Sequence, residues 1–376
     1  MLAQPPIWFI ALAFILAIGP LVFIHELGHY LVARWCGIGA EIFSSGFGRE
    51  IVGWTDRRGT RWKVGWLPLG GYVRFVGDMN ASSQPGDTDS LAPEDRDRAF
   101  HLKPVWQRFL VVLAGPMANF LLAIAIFAAF FAVFGVPRTP PVIGLIQPGS
   151  AAAAAGLAKG DRIRSIAGQD IGSFEDIRRI VVIRPAETVP IEIERGGRSL
   201  TIATKLGAQD TADEYGQHYR IGLLGIGQTA RVLERVSLPR LLPEATHYTF
   251  ALTRSMIDGL VQILSGERST KELGGPIKMA QIAGQQASLG PFEFFQLLAL
   301  FSINLGFINL LPVPMLDGGH LAFYAVEAVR RRPLSAQAQE WAFRGGLALL
   351  LALLLFTTVN DLASIGLADR LGRLIG

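Results

Sequence analysis

Four long apolar stretches dominate the pattern of hydrophobic and polar positions along the chain. They occupy residues 1–36, 105–135, 294–330 and 339–362. Each contains enough apolar residues to cross a hydrocarbon layer of about 30 Å as a helix. Pro312, Pro314 and two glycines interrupt the third stretch. The pattern therefore predicts a polytopic α-helical membrane protein with about four transmembrane helices.

The segments between these stretches have other patterns. Residues 37–104 contain aromatic and β-branched residues punctuated by glycine, which predicts short membrane-associated strands, a β-hairpin region, in a loop. Residues 141–229 alternate as strands do and have a hairpin turn at Gly196-Gly197. Residues 240–290 are helical and amphipathic, as expected for a helix along a membrane surface. We therefore expect a soluble β-domain inserted between the second and third spans.

The composition supports a membrane protein. Hydrophobic residues make up 50% of the chain and charged residues 18%, whereas soluble domains carry about 25% charged residues. The net charge of +4 is modest, and most arginines lie beside apolar segments, so we expect no nucleic-acid partner. The single cysteine, Cys36, excludes an internal disulfide and a multi-cysteine zinc site.

The arginines also predict the orientation in the lipid bilayer. Basic residues flank the loop after the first span, and Arg330, Arg331 and Arg332 lie between the third and fourth spans. Cytoplasmic loops are enriched in such residues, so both loops are predicted to be cytoplasmic. The 141–229 and 240–290 regions are then predicted to lie outside.

Two histidines and a glutamate end the first apolar stretch. His25-Glu26-Leu27-Gly28-His29 fits H-E-x-x-H, in which two histidines four apart on a helix converge on one metal and the glutamate acts as general base. A pair of helix histidines satisfied by hydrogen bonds is the alternative. Ionisable groups are costly in an apolar helix, which favours the metal site.

A catalytic zinc requires a third protein ligand and an open position for water. Asp317 is the best candidate, because no other carboxylate lies between Glu293 and Glu327. Counting from the outside, it lies at a depth similar to that of the two histidines. An N-cap role beside a helix break is the alternative for Asp317, and His320 remains a competing third ligand.

Three motifs carry a resemblance that covers nearly the whole chain. They are HELGH at 25–29, Gly115-Pro116-Met117-Ala118-Asn119, and the segment from Asn304 through Asn309-Leu-Leu-Pro-Val-Pro-Met-Leu-Asp317-Gly-Gly. Together they resemble the site-2 protease family of intramembrane zinc metalloproteases, of the bacterial RseP type.

The resemblance implies roles for individual residues. It implies that His25, His29 and Asp317 bind Zn2+ and that Glu26 activates water. An edge strand is implied to capture an extended substrate by β-addition; a hairpin that merely rests on the membrane is the alternative. The residues implied in substrate binding are Gly70, Gly71, Tyr72, Val73 and Arg74 of this strand, and Asn304, Asn309, Pro312 and Pro314 of the channel.

The inserted domain has features of a PDZ domain. "PGSAAAAAGLAKGDRIRSIAGQDI" matches the bacterial pattern, and "YRIGLLGIG" at 219–227 could form the glycine loop that receives a peptide carboxylate. A generic small β-domain is the alternative. Well-known relatives of this type carry two tandem PDZ domains, whereas one is recognisable here.

The resemblance implies an inner-membrane zinc endopeptidase of a Gram-negative-type bacterium, with a periplasmic PDZ domain and the active site toward the cytoplasm. It would cleave the transmembrane segment of a single-span protein, such as an anti-sigma factor trimmed by another protease, or a remnant signal peptide. A non-catalytic adaptor and a zinc carrier are the rivals. Retention of His25, Glu26 and His29 argues against the adaptor, and the scarcity of further polar residues in the spans argues against the carrier.

Overall fold

The computed structural model describes residues 5–78, 91–212, 218–229, 232–266, 269–270 and 274–364. The helices in these ranges are α1 (Ile7–Trp35), α2 (Pro93–Arg96), α3 (Val105–Phe134), α4 (Ala151–Ala154), α5 (Phe174–Val182), α6 (Leu238–Leu264), α7 (Pro276–Leu289), α8 (Pro291–Leu310), α9 (Asp317–Arg330) and α10 (Ala336–Ser364). The strands are β1 (Ala40–Thr55), β2 (Arg61–Phe75), β3 (Val136–Arg138), β4 (Ile143–Ile146), β5 (Arg162–Ile166), β6 (Gln169–Asp170), β7 (Thr188–Arg195), β8 (Arg198–Lys205), β9 (Gly207–Ala212), β10 (His218–Leu223), β11 (Ile226–Gln228) and β12 (Val232–Glu234).

The chain divides into two compact units. The larger, helical unit combines Met1–Ala128 with Ala245–Gly376, and the smaller unit is Ala129–Glu244. Within the ranges that the structure describes, four helical segments are long and apolar enough to cross a membrane: Ile7–Trp35, Val105–Phe134, Pro291–Leu310 and Gln337–Ala363. A helix satisfies its own backbone hydrogen bonds, as a lipid environment requires.

The third apolar stretch forms two helices rather than one interrupted span over 294–330. Helix α8 ends at Leu310 and α9 begins at Asp317. Pro312 and Pro314 explain the break, because proline lacks a backbone N–H and disfavours a helical conformation in the residue before it. Helix α9 has 14 residues and so would rise only about 21 Å. The break therefore places Asp317 in the first turn of a new helix.

The region after α1 contains two long strands, of 16 and 15 residues, where the sequence pattern predicted short ones. The strands bend, so that residues 42–45 pair with 71–74 and also with 61–64, while 50–55 pair with 61–65. Among the described residues, 71–74 therefore form an outer edge of this sheet. Phe43 and Val73 are buried in the same apolar cluster as Tyr30 of α1.

The 240–290 region, predicted to be helical and amphipathic, contains most of α6 and all of α7. Helix α7 packs in the helical unit: Ala283 is buried in one cluster with Ala13 and Ala17 of α1. Small residues permit this approach, since a Cβ at Gly284 would lie 2.6 Å from the Cγ1 of Ile10. The periplasmic placement of this region stays a prediction.

The smaller unit contains a four-stranded sheet in the order β6-β5-β7-β8. Its core includes Ile163, Ile191 and Ile193, all fully buried. At the turn before β5, burial raises the pKa of Asp161, but hydrogen bonds from Arg195 and the Ala158 amide outweigh this effect and lower the pKa below its ordinary value. The short helix α4 precedes the Gly-Leu-x-x-Gly-Asp segment, and β5 follows it.

Candidate metal centre

His25 and His29 lie one turn apart on the same face of α1. Both are buried, with 7% and 9% of their surface exposed. Their Nε2 atoms are 3.2 Å apart. Helix α3 approaches this face closely, because a Cβ at Gly28 would lie 2.5 Å from the Ala114 carbonyl oxygen. The spacing in the sequence and the packing of α3 together hold the two rings in fixed positions.

Asp317 comes from the other side, at the start of α9. The chain turns at Met315, which has a φ of 83°, a left-handed conformation that is strained for a non-glycine residue. The Oδ2 atom of Asp317 lies 3.1 Å from the Nε2 of His25 and 3.5 Å from the Nε2 of His29. The break between α8 and α9 thus brings the third group to the histidine pair.

The spacing of these three atoms fits a zinc ion. Zinc at 2.0–2.1 Å from nitrogen or oxygen ligands in a tetrahedron would separate those ligands by roughly 3.3 Å. The observed separations are 3.2, 3.1 and 3.5 Å. The Oδ2 of Asp317 is buried and accepts no hydrogen bond of acceptable geometry from the described residues. Three lone-pair atoms therefore face a common point.

The other ring nitrogens orient the histidines. The Nδ1 of His29 lies 2.8 Å from the carbonyl oxygen of Val111, which can only accept a hydrogen. This contact assigns the proton of His29 to Nδ1 and leaves Nε2 free to bind a metal. Outer hydrogen bonds of this kind set the tautomer and direction of metal-binding histidines.

Asn119 is a site residue to which the sequence assigned no role. It is fully buried in α3, and its Nδ2 lies 3.1 Å from the Nδ1 of His25. Its Oδ1 is buried without a partner among the described residues. The two ends of an amide are assigned from hydrogen bonding, so exchanging them lets Oδ1 accept a hydrogen from Nδ1. His25 then has the same tautomer as His29. A polar side chain in an apolar span was the available signal.

Glu26 faces a cavity of about 310 Å³ beside the three convergent atoms. Gly71, Tyr72 and Val73 of the outer edge of the sheet form another wall, together with the preceding Gly70. A Cβ at Gly71 would lie 3.0 Å from the Cγ of Glu26. An edge strand and an acidic side chain therefore border the same space.

The remaining predicted substrate-binding residues divide into two groups. Asn309 lines the cavity. Arg74 does not; it pairs with Glu41 at 2.7 Å. The other three are also absent from the cavity lining: Asn304 within α8, and Pro312 and Pro314 in the break that follows it.

His320, the competing third ligand, lines the cavity but is not part of the convergent set. Among the described residues, the cluster able to hold a metal consists of His25, His29 and Asp317. The His320 ring packs 5.3 Å from the ring of Phe343 on α10. The geometry favours Asp317 as the third ligand.

A helix bearing H-E-x-x-H whose histidines meet a carboxylate defines the site of a metallopeptidase. The profile of Peptidase family M50 matches residues 13–353. The chain belongs to this family, the site-2 proteases, as its motifs predicted.

Relatives resemble the chain over almost their whole length. A protein of Agrobacterium fabrum, named as a zinc metalloprotease, is 42% identical over 358 residues, 94% of this chain and 95% of the relative. One of Rhizobium meliloti with the same kind of name is 43% identical, over 91% and 93%. Metalloprotease MmpA of Caulobacter vibrioides is 39% identical, over 95% of each.

One solved structure, the PDZ domain of an SdrC-like protein from Listeria monocytogenes, is similar to 25% of this chain and 92% of its own length. The identity is 22% and the TM-score is 0.20, so this similarity does not establish the fold of the smaller unit. The PDZ interpretation continues to rest on the sequence motifs.

The geometry predicts different effects of changing Asp317 and His320. Asp317→Ala should reduce the zinc content of the purified protein severely, because one of three convergent ligands is lost. His320→Ala should keep the zinc, since its ring lies outside the ligand set. Metal analysis after dialysis against a weak chelator would compare the zinc content of the two variants. The opposite pattern would identify His320 as the third ligand.

Asn119 should influence zinc affinity through His25. Asn119→Leu removes the acceptor for the Nδ1 proton and should weaken zinc binding about 10- to 100-fold. Asn119→Asp preserves an acceptor of similar size and should bind zinc much more tightly than the leucine variant. Competition with a chromophoric chelator measures both. Equal affinities of the leucine and aspartate variants would contradict an orienting hydrogen bond.

Proposed function

We propose that this protein is a zinc endopeptidase that hydrolyses a peptide bond in the transmembrane segment of a membrane-protein substrate. The observation that carries the proposal is the convergence of His25, His29 and Asp317 beside Glu26 within a helical unit of apolar candidate spans. Membership of a peptidase family supports the reaction class. The names of the relatives support zinc as the metal.

The metal would be held by His25 and His29 through Nε2 and by Asp317 through Oδ2. When bound, zinc supplies Lewis-acid polarisation of the scissile carbonyl and lowers the pKa of a bound water toward 7. The described ligands come from three residues, which would leave the open position that a catalytic zinc site requires.

Glu26 is proposed as the general base and acid. It follows His25 directly on α1 and faces the cavity. Its carboxylate would take a proton from the attacking water, whose oxygen forms a bond to the carbonyl carbon. The same proton would then pass to the nitrogen as the C–N bond breaks, giving an amine and a carboxylic acid that ionises by losing its proton to solvent.

The edge strand is proposed to hold the substrate in an extended form. A peptide bond within a helix is shielded by backbone hydrogen bonds, so cleavage requires local unwinding. Residues Gly71–Val73 of the outer edge offer backbone groups beside Glu26, with Gly70 next to them, and a substrate segment could pair with this edge as an added strand. Arg74 would support this edge through its ion pair with Glu41.

The break between α8 and α9 is proposed to shape the substrate channel. Asn309 borders the cavity, where its amide could hydrogen-bond an unwound substrate backbone. Pro312 and Pro314 would act by holding the chain out of a helical conformation before Asp317. Asn304, one to two turns earlier on α8, would act on the approach to the cavity.

The substrate and location are finer parts of the proposal. We propose a single-span protein, such as an anti-sigma factor already trimmed by another protease or a remnant signal peptide. The bacterial inner membrane would hold the spans, with the PDZ domain in the periplasm, where a peptide ligand could reach it. The active site would lie toward the cytoplasm. The distribution of arginines supports this orientation.

Glu26→Gln tests the reaction directly. The variant should keep its zinc, because all three ligands remain, while cleavage of a model transmembrane substrate in detergent should fall at least 100-fold. His25→Ala should lose both metal and activity. Zinc content and cleavage would be measured on the same preparations, and near-normal turnover by a zinc-loaded Gln variant would refute the mechanism.

Cysteine labelling tests the orientation. In a Cys36→Ser background, Ser173→Cys in the smaller unit should react with an impermeant thiol reagent in cells with a permeabilised outer membrane. Ser335→Cys, between α9 and α10, should react only after the inner membrane is opened. If Ser335→Cys is labelled and Ser173→Cys is protected, the orientation in the membrane is the reverse of the predicted one, and the proposed chemistry is unaffected.

A further inference from the structure

A second cavity lies at the C-terminal end of α1, away from the metal centre. It has a volume of about 310 Å³ and is lined by Arg34, Gly37, Ile38, Arg58 and Arg98. The three arginines come from the last turn of α1, the turn between β1 and β2, and the segment after α2. Three separate parts of the chain therefore bring cationic side chains to one place.

These arginines have no anionic partner in the part of the chain that the structure describes. Among the described residues, no ion pair within 4 Å involves Arg34, Arg58 or Arg98. Lys103 adds a fourth cation, because its Nζ lies 3.8 Å from the position of a Cβ on Gly37. Like charges repel one another, so the cluster is stabilised when an anion binds among them.

Asp56 is engaged by other donors than the guanidinium groups of these arginines. It lies in the same turn as Arg58, but its carboxylate accepts hydrogen bonds from the Trp62 indole, the Tyr30 hydroxyl and the backbone amides of Arg58 and Thr60. These donors are uncharged. The carboxylate therefore holds the turn, and it forms no ion pair with the guanidinium of Arg58.

The location of the cavity indicates the chemistry of that partner. Helix α1 is a candidate membrane span, and Leu31 and Trp35 in its last turns are 56% and 79% exposed. Tryptophan is enriched where spans leave the hydrocarbon and meet the headgroups. A cation near a helix C-terminus is favourable by itself, which accounts for Arg34 but not for Arg58 or Arg98.

We propose that this cavity binds the phosphate of an anionic phospholipid. Arginine binds phosphate oxygens through paired N–H groups, and three arginines line this one space of about 310 Å³. The exposed apolar side chains of Leu31 and Trp35 would contact the acyl chains. A basic pocket at the end of a span is an established mode of lipid headgroup recognition. The site does not depend on the proteolytic function.

Lipid binding by the full chain can be measured by native mass spectrometry in detergent, with phosphatidylglycerol or phosphatidylcholine added. The wild type should bind one phosphatidylglycerol at least tenfold more tightly than phosphatidylcholine. Arg58→Gln, in an exposed turn, should weaken this binding about fivefold, as expected for one surface cation. The triple variant Arg34→Gln, Arg58→Gln, Arg98→Gln should abolish the preference. Retained zinc content would show that both variants are folded.

The matched control removes the same charge elsewhere. Arg330→Gln, Arg331→Gln, Arg332→Gln lowers the net charge equally on the same predicted side of the membrane and should leave the lipid preference intact. Equal weakening in this control would show general electrostatic attraction and overturn the site. A wild type without preference between the two lipids would do the same. Binding of inorganic phosphate that displaces phosphatidylglycerol at equal concentration would overturn the lipid assignment.

Discussion

The convergence of His25, His29 and Asp317 on one point is the constraint on which the helical unit depends. Ionisable groups in an apolar interior cost several kcal/mol unless they are paired or bind a metal. Here two imidazole nitrogens and one carboxylate oxygen lie 3.1–3.5 Å apart. With their lone pairs directed at one point, these atoms do not stabilise one another, and a bound zinc ion would offset the cost of burying them. The surrounding helices must therefore hold these three side chains in register.

Helix packing meets this requirement through small residues and outer hydrogen bonds. Gly28 lets α3 approach α1, and α3 then supplies the Val111 carbonyl and the Asn119 amide to the two histidines. The hydroxyl of Ser302 on α8 in turn donates a hydrogen bond to the backbone carbonyl oxygen of Asn119 at 2.7 Å. Helices α3 and α8 are thus connected to the two histidines of α1 by hydrogen bonds, so a change in their packing would alter the direction of the proposed ligands.

The edge strand gives the same centre access to an extended peptide. A two-stranded hairpin is marginally stable alone, but Phe43 and Val73 bury their side chains against α1. Bending of both strands leaves residues 71–74 as an outer edge near Glu26. Exposed edges favour pairing with other chains. This property fits the proposed binding of an unwound substrate segment, because the edge and Glu26, the proposed general base, border one cavity.

The sequence by itself determined the apolar helices, the H-E-x-x-H pair and the family, because periodicity, composition and i, i+4 spacing are local properties of the chain. Pro312 and Pro314 also predicted the helix break before Asp317. Only the tertiary structure distinguished Asp317 from His320 as the candidate third ligand and showed Asn119 as the partner of His25. It also placed Gly70–Val73 rather than Arg74 at the cavity, and it brought Arg34, Arg58 and Arg98 together. Each of these depends on how distant segments pack and pair. That packing follows from close contacts between helices and from strand register, which no local pattern specifies.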